Sequence, residues 1–189
     1  MVVNRSVYFI AMGGNLPIGG QSPKNVVSAA LTQIRVSGLV IRAVSRFFAT
    51  PGFPPGTGPD FVNAVIEVES DLAPERVLSV LHDIEARFAR ARDARWGART
   101  LDLDLIAGGQ TVMPAPGVVR RWIDLPLEAQ QNEAPDALIL PHPRLQDRAF
   151  VLVPLCDIAP DWRHPLLGET ARAMLAALPR SHIAGITPI

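Results

Sequence analysis

The sequence predicts an α+β fold of ferredoxin-like type: an antiparallel β-sheet with helices packed on it in αβα layers. Two observations carry this expectation. Hydropathy and turn signals read strand, helix, strand, strand, helix, strand over residues 7–106, a split βαβ pattern made twice. The chain has 189 residues, enough for one compact domain with a real core and tight for two. Residues 1–189 are therefore expected to form one domain, with no internal repeat or low-complexity stretch.

The elements follow in order. Val7–Met12 is a β-rich apolar run that ends at the turn signal Gly13-Gly14-Asn15. Ser22-Pro23 starts a helix, with serine as cap and proline at the first helical position. Val26, Val27, Ala30, Leu31 and Ile34 recur at helical spacing, and Gly38 suits the end. Val40–Thr50 reads as one strand, followed by a proline- and glycine-rich loop over 51–59. Phe61–Ser70 is the next strand, with Val62, Ala64, Ile66 and Val68 on one face and Phe61, Asn63, Val65 and Glu67 on the other. Asp71 is placed to cap a second helix that has Pro74 and Glu75 in its first turn. Val77, Leu78, Leu81, Ile84, Glu85 and Phe88 continue it, with Glu85 at the edge of the apolar face. An arginine-rich loop over 89–98 leads to the strand Thr100–Ile106, and Gly108-Gly109 turns the chain. No strand pattern stands out over 114–137, where a short helix is expected within Trp122–Gln131. Phe150–Leu155 is apolar, and Glu169–Leu178 reads as the last helix.

Composition narrows the function. Hydrophobic residues make up 48% and charged residues 19%, which fits a globular protein rather than a disordered one. Eighteen basic side chains balance 18 acidic ones, and that balance disfavours a general nucleic-acid binder. Cys156 is the single cysteine, so neither an internal disulfide nor a CxxC zinc site is available. The apolar N-terminal stretch is too short to span a membrane and shows no signal-cleavage pattern. A cytoplasmic monomer is the expectation. Lys24 is the only lysine, which lowers the value of any one arginine as a marker.

The sharpest local feature is Thr100-Leu101-Asp102-Leu103-Asp104-Leu105. On a strand, alternate residues point the same way, so the aspartates share one face and the leucines face the core. Two adjacent carboxylates repel unless a cation lies between them. Hard oxygen donors suit magnesium, which completes its shell with water and substrate phosphates. A solvated strand face is the plainer reading of an isolated DxD. Arg87, Arg90, Arg92, Arg95 and Arg99 lie just upstream, and guanidinium groups bind phosphate oxygens in pairs. Carboxylates for metal beside arginines for phosphate are what phosphoryl transfer uses, although a solvated basic loop would read the same way. Trp96 is either an anchor for that loop or a flat surface for a ring. Asn63 is either a polar strand residue or a reader of a heterocycle edge. His142 lies between two prolines and could reach a phosphate or simply belong to a loop. His82 and Glu85 share a helix face. No GxxxxGK[ST] is present, so nucleotide binding would not use a P-loop.

Five blocks then match a known family in its order: Tyr8–Leu16, Ser45–Pro51, Asp60–Ala64, Arg95-Trp96-Gly97-Ala98-Arg99-Thr100-Leu101-Asp102-Leu103-Asp104, and Leu140-Pro141-His142-Pro143-Arg144 through Arg148-Ala149-Phe150-Val151-Leu152. The chain resembles the 6-hydroxymethyl-7,8-dihydropterin pyrophosphokinases of folate biosynthesis. The resemblance implies transfer of pyrophosphate from ATP to the hydroxymethyl group of the pterin, with AMP released. It implies that Asp102 and Asp104 ligate two magnesium ions and that Arg90 and Arg99 contact the phosphates, these four forming the catalytic set. His82, Glu85, Leu138, His142 and Arg148 would line the nucleotide side. Thr50, Pro51, Phe53, Phe61, Asn63 and Phe150 would hold the pterin, with Phe150 stacking on its ring. Trp96 would close over both substrates. No nucleic-acid or membrane partner is implied. The chain departs from the family pattern in several places. Phe61 stands where tyrosine is common, Gly14 replaces a common serine, and Ala137 stands where some members have arginine. The segment 91–95 is about one residue shorter, and 113–136 is longer than usual.

Overall fold

Strand β1 (Ser6–Gly14) is the spine of the structure, hydrogen-bonded antiparallel on both sides. The computed structural model describes residues 5–52, 58–88, 100–126, 129 and 133–189. β1 lies between β4 (Phe61–Ser70) and β5 (Asp102–Gly108). β2 (Val40–Val44) and β3 (Phe48–Thr50) both pair with β4, and β6 (Thr187–Pro188) adds to the outer side of β3. The sheet order is β5-β1-β4-β3-β6.

Both faces of the sheet are covered, which is why β1 reads as an almost unbroken apolar run. Tyr8, Ile10 and Met12 face one core, shared with α1 (Pro23–Val36) and α2 (Pro74–Arg87). Phe9 and Val65 face the other, shared with α4 (Ala149–Ile158) and α5 (Ala171–Ala177). The αβα layering is as the sequence predicts. α1 also matches: the Ser22 hydroxyl accepts from Asn25 N at 3.4 Å, Pro23 opens the helix, and Gly38 takes a positive φ of 92° just beyond it.

Several expectations are corrected. The strand expected over 40–50 is two strands. At the break, the Ser45 hydroxyl accepts from Val65 N at 3.0 Å and donates to Arg46 O at 2.7 Å, replacing a ladder bond with a side-chain bond. Asp71 does not cap α2. Ala73 holds the cap position without a side-chain bond, and Pro74, having no N–H, removes one donor that a cap would satisfy. The strand expected over 100–106 spans Asp102–Gly108, so Gly108 belongs to it and the turn falls at 109–110. In the insertion, α3 spans Pro116–Asp124 with Pro116 in its first turn, so it begins before the stretch 122–131 in which a short helix is expected; Ala129 is helical as well, and residues 127, 128, 130 and 131 of that stretch lie outside the described residues. The run at 150–155 is helical despite Pro154, being apolar on most sides because the sheet and α5 both cover it. α6 (Arg180–Ile183) and β6 were not foreseen.

His164 gives the fold a pH dependence. It is fully buried, its Nδ1 accepts from Leu166 N and Leu167 N at 3.2 Å, and Trp162 meets its ring edge-on with centroids 5.9 Å apart. Its Nε2 has no hydrogen-bond partner among the described residues. Burial disfavours the charged form and pushes its pKa from 6.5 down to about 4. The unfolded chain therefore binds this proton at a higher pH than the folded one. Stability is full above pH 6.5, falls as the pH drops toward 4, and changes no further through this group below that, for about 3 kcal/mol in all. His164→Asn keeps an acceptor but cannot titrate. Urea unfolding between pH 7 and 4 should show a clearly shallower loss in that variant; an unchanged slope would assign the acid sensitivity elsewhere.

Candidate active site

Pairing across the sheet sets the site. Asp102 lies opposite Gly13, Gly13 opposite Asn63, and Asn63 opposite Phe48, so one row crosses β5, β1, β4 and β3. The next row holds Asp104, Ala11 and Val65. Partners in a row share a face, so both aspartates and Asn63 lie on the α4 side, as their alternation predicts. Leu103 and Leu105 are buried on the opposite face, against α2.

Gly13 is glycine because of its neighbour. A Cβ there would lie 2.7 Å from Asn63 Oδ1. The Asn63 amide occupies that space and donates from Nδ2 to Thr50 Oγ1 at 2.6 Å. Both side chains are buried. Phe61, two residues before Asn63 on the same face, is partly buried, and Pro51 is exposed beyond the end of β3. Phe150, at the start of α4, is 40% exposed, an apolar ring left open at the mouth of the sheet face.

The carboxylate pair is held from behind and from the side. Glu85 on α2 is buried, and its Oε1 accepts from Leu103 N at 2.8 Å, between the two aspartates. It acts on the pair through the strand, whereas His82, one turn earlier, is exposed. β5 carries an irregularity in its pairing at Ile106, and the Ile106 carbonyl accepts His142 N at 2.8 Å. That bond fixes His142 beside the strand. His142 Nδ1 accepts from Arg144 N at 3.0 Å, which leaves the ring proton on Nε2. Loss of solvent, with Arg148 and Arg144 adding to it against the pull of Asp102, pushes the His142 pKa down to about 3. The imidazole is therefore a neutral donor. Arg148 reaches both halves of the site: its Nη1 is 4.0 Å from Asp104 Oδ2, and its guanidinium lies 5.6 Å from the Phe150 ring centre. Leu138, partly buried, packs against the core that β1 shares with α1 and α2.

The structure thus brings Asp102, Asp104, His142, Arg148 and Phe150 together; Asp102 shares a row with Asn63, Asp104 lies in the next row on one side, and Thr50, opposite Phe61, lies beyond Asn63 on the other. Phe53, Arg90, Trp96 and Arg99 lie outside the described residues. Sequence reasoning took Asn15 only as part of a turn. It is buried, and its Nδ2 donates to Pro59 O at 3.1 Å, tying the end of the 51–59 loop to β1. Its place directly after Gly13-Gly14 was the available signal.

The donor set fits magnesium. Asp102 and Asp104 offer hard carboxylate oxygens, and the described residues hold no group of three or more His, Cys, Asp or Glu side chains able to cage an ion. Two carboxylates leave most of the coordination shell to water and phosphate, as magnesium in nucleotide sites requires.

Residues 9–160 match the family described as 7,8-dihydro-6-hydroxymethylpterin-pyrophosphokinase (HPPK). A 2-amino-4-hydroxy-6-hydroxymethyldihydropteridine pyrophosphokinase of Pseudomonas aeruginosa is 37% identical, covering 90% of this chain and 91% of that protein. One from Synechocystis is 35% identical over 85% of this chain and 70% of its own length. Among solved structures, wild-type Plasmodium falciparum HPPK-DHPS superposes with a TM-score of 0.64 at 13% identity, a likeness of fold. That match covers 92% of this chain and 44% of the Plasmodium chain, so this chain spans less than half of that protein's length. With the motifs, the sheet and the family match in agreement over most of its length, the chain belongs to the 7,8-dihydro-6-hydroxymethylpterin-pyrophosphokinase family.

Proposed function

We infer that this protein transfers the pyrophosphoryl group of ATP to the hydroxymethyl group of 6-hydroxymethyl-7,8-dihydropterin, releasing AMP and supplying the pterin diphosphate for folate biosynthesis. One observation carries the residue-level reading. The aspartate pair and the Asn63–Thr50 pair lie in adjoining rows of one sheet face, so a phosphate chain and a planar ring would meet there. Residues 1–189 are taken as one pyrophosphokinase domain acting as a monomer in the cytoplasm, with 113–136 an insertion. Strands from both ends of the chain join one sheet, which supports the domain reading. No helix among the described residues is long and apolar enough to cross a membrane.

On this reading Asp102 and Asp104 would hold magnesium, two ions being expected, where the ATP phosphates bind. Bound magnesium would neutralise the triphosphate and make its β-phosphorus a better electrophile. Asn63 and Thr50 fix the pterin edge, and Phe150 offers its open face to the ring. This holds the hydroxymethyl oxygen toward the phosphate side, which is most of what phosphoryl transfer asks of a protein. The oxygen forms a bond to the β-phosphorus, the bond from that phosphorus to the bridging oxygen of AMP breaks, and the hydroxyl proton passes to solvent. Neutral His142 donates its Nε2–H to a phosphate oxygen without adding charge. Arg148, close to Asp104 here, offsets charge on the transferred group, and Arg90 and Arg99 do the same from the neighbouring loop. Trp96 and Phe53 close the ring side, and His82, Glu85 and Leu138 line or brace the nucleotide side.

Protein mixed with Mg-ATP and hydroxymethyldihydropterin should release free AMP and a pterin diphosphate in equal amounts; a nucleotide joined to the pterin would refute the reaction. Asp104→Ala should lower kcat by about a thousandfold with the circular dichroism unchanged, and activity within a few-fold of wild type would remove the metal assignment. Asn63→Ala deletes a buried polar reader. It should raise KM for the pterin by roughly 10- to 100-fold while KM for ATP stays within about twofold. Equal effects on both substrates would place Asn63 outside the ring site.

A further inference from the structure

The family match ends at residue 160, yet the segment 185–189 returns to the site. β6 pairs with β3, Thr187 opposite Ala49 and Pro188 opposite Phe48, and Ile189 N donates to Phe47 O at 2.9 Å. β3 is only three residues long and ends at Thr50, the partner of Asn63. Without β6, its outer side would be an open edge. Just beyond Thr50, Pro51 packs directly on Gly185: a Cβ at Gly185 would lie 2.6 Å from Pro51 Cγ and 3.0 Å from Pro51 Cδ. Gly185 does not have a positive φ, so closeness to Pro51, not backbone conformation, is what requires glycine here. The segment is anchored at its other end as well, because α6, which precedes it, packs on α4, the helix that carries Phe150 in its first turn.

We propose that Gly185–Ile189 is a positioning element for the pterin. Through α6 it links the helix that carries Phe150 to the strand that carries Thr50, and so sets the gap between the stacking ring and the edge-reading pair. This rests on the reading of Thr50, Pro51, Asn63 and Phe150 as the pterin side. The aspartate pair lies at the opposite end of the rows, on β5, and has no contact with this segment. Disturbing the segment therefore weakens pterin binding and spares ATP. A cover that merely hides an open edge would affect stability and both substrates alike.

Gly185→Ala is the direct test, read as KM for each substrate. It should raise KM for the pterin about 5- to 20-fold and leave KM for ATP within about twofold. Pro51→Ala removes the atoms that the new methyl group meets, so in that background Gly185→Ala should add nothing further. Pterin KM unchanged in Gly185→Ala, equal rises for both substrates, or full additivity with Pro51→Ala would each overturn the proposal. Should Gly185→Ala prove too unstable to assay, deletion of residues 187–189 takes its place. Pterin affinity lost with ATP affinity kept supports the role, and parallel loss of both refutes it. Thr50→Val separates the two levels. If it leaves pterin KM unchanged, the pterin-site reading itself fails. If it raises pterin KM and Gly185→Ala does not, only the positioning role fails.

Discussion

One register, β5 on β1 on β4, decides the chemistry of this face. Side chains alternate along a strand with a period of two, so a slip of one residue would turn Asp102 and Asp104 into the α2 core and bring Leu103 to the surface. The structure guards against that slip at several points. The Glu85 carboxylate takes the Leu103 N–H from the outer edge of β5. The Asn63 amide fits over Gly13, where any larger residue would collide with it. The Ser45 hydroxyl takes the Val65 N–H where β2 gives way to β3. Two of these are bonds from a side chain to the main chain of a neighbouring element and the third is a close fit against a glycine, so the contacts that define the fold also place the site.

The charges of the site are balanced among themselves. Two carboxylates on one face repel, and burial of polar groups beside them raises the cost. Arg148 stands 4.0 Å from Asp104, and the same guanidinium lies over the Phe150 ring. His142 is close enough to feel Asp102, yet burial and two arginines keep it neutral. A neutral donor beside a carboxylate pair is consistent with a site meant for a cation and a polyanion together. A protonated histidine there would compete with the cation for the carboxylates.

Much of this was legible in the sequence, for identifiable reasons. Phe61–Ser70 was bounded correctly because its alternation is long and its ends are marked by Pro59 and Asp71. The Leu-Asp-Leu-Asp pattern gave the common face of the aspartates because strand geometry fixes it. Features that depend on distant partners were not legible. Nothing local in Val40–Thr50 shows that Ser45 bonds across to Val65. Proline within an all-apolar run hid α4, whose need for apolar residues on most sides comes from the sheet and α5 packing around it. The role of Asn15 depends on a carbonyl 44 residues away. β6 has two residues, too few for any period to appear.

The two ends of the sheet face are built differently, and that difference suits the reaction. On the proposed ring side, Asn63 is already bonded to Thr50 and β3 is paired on both edges, so these groups would be fixed before a ligand arrives. This lowers the ordering cost of binding a flat, rigid molecule. On the phosphate side the interactions are exchangeable. Arg148 is near Asp104 at a distance that is an ion pair only at its outer limit, and the Asp104 carboxylate, 42% exposed, remains accessible to another cation. Under the proposed function, a metal-bound triphosphate would take over both partners, meeting the carboxylates through its cation and the guanidinium through its oxygens. Binding there replaces a weak internal pairing with two stronger ones, so the carboxylates need not stay close together without a counter-charge. Under the proposed function, a rigid ring seat beside an exchangeable charge seat would hold the hydroxymethyl oxygen toward the phosphate chain while the charges around that chain rearrange.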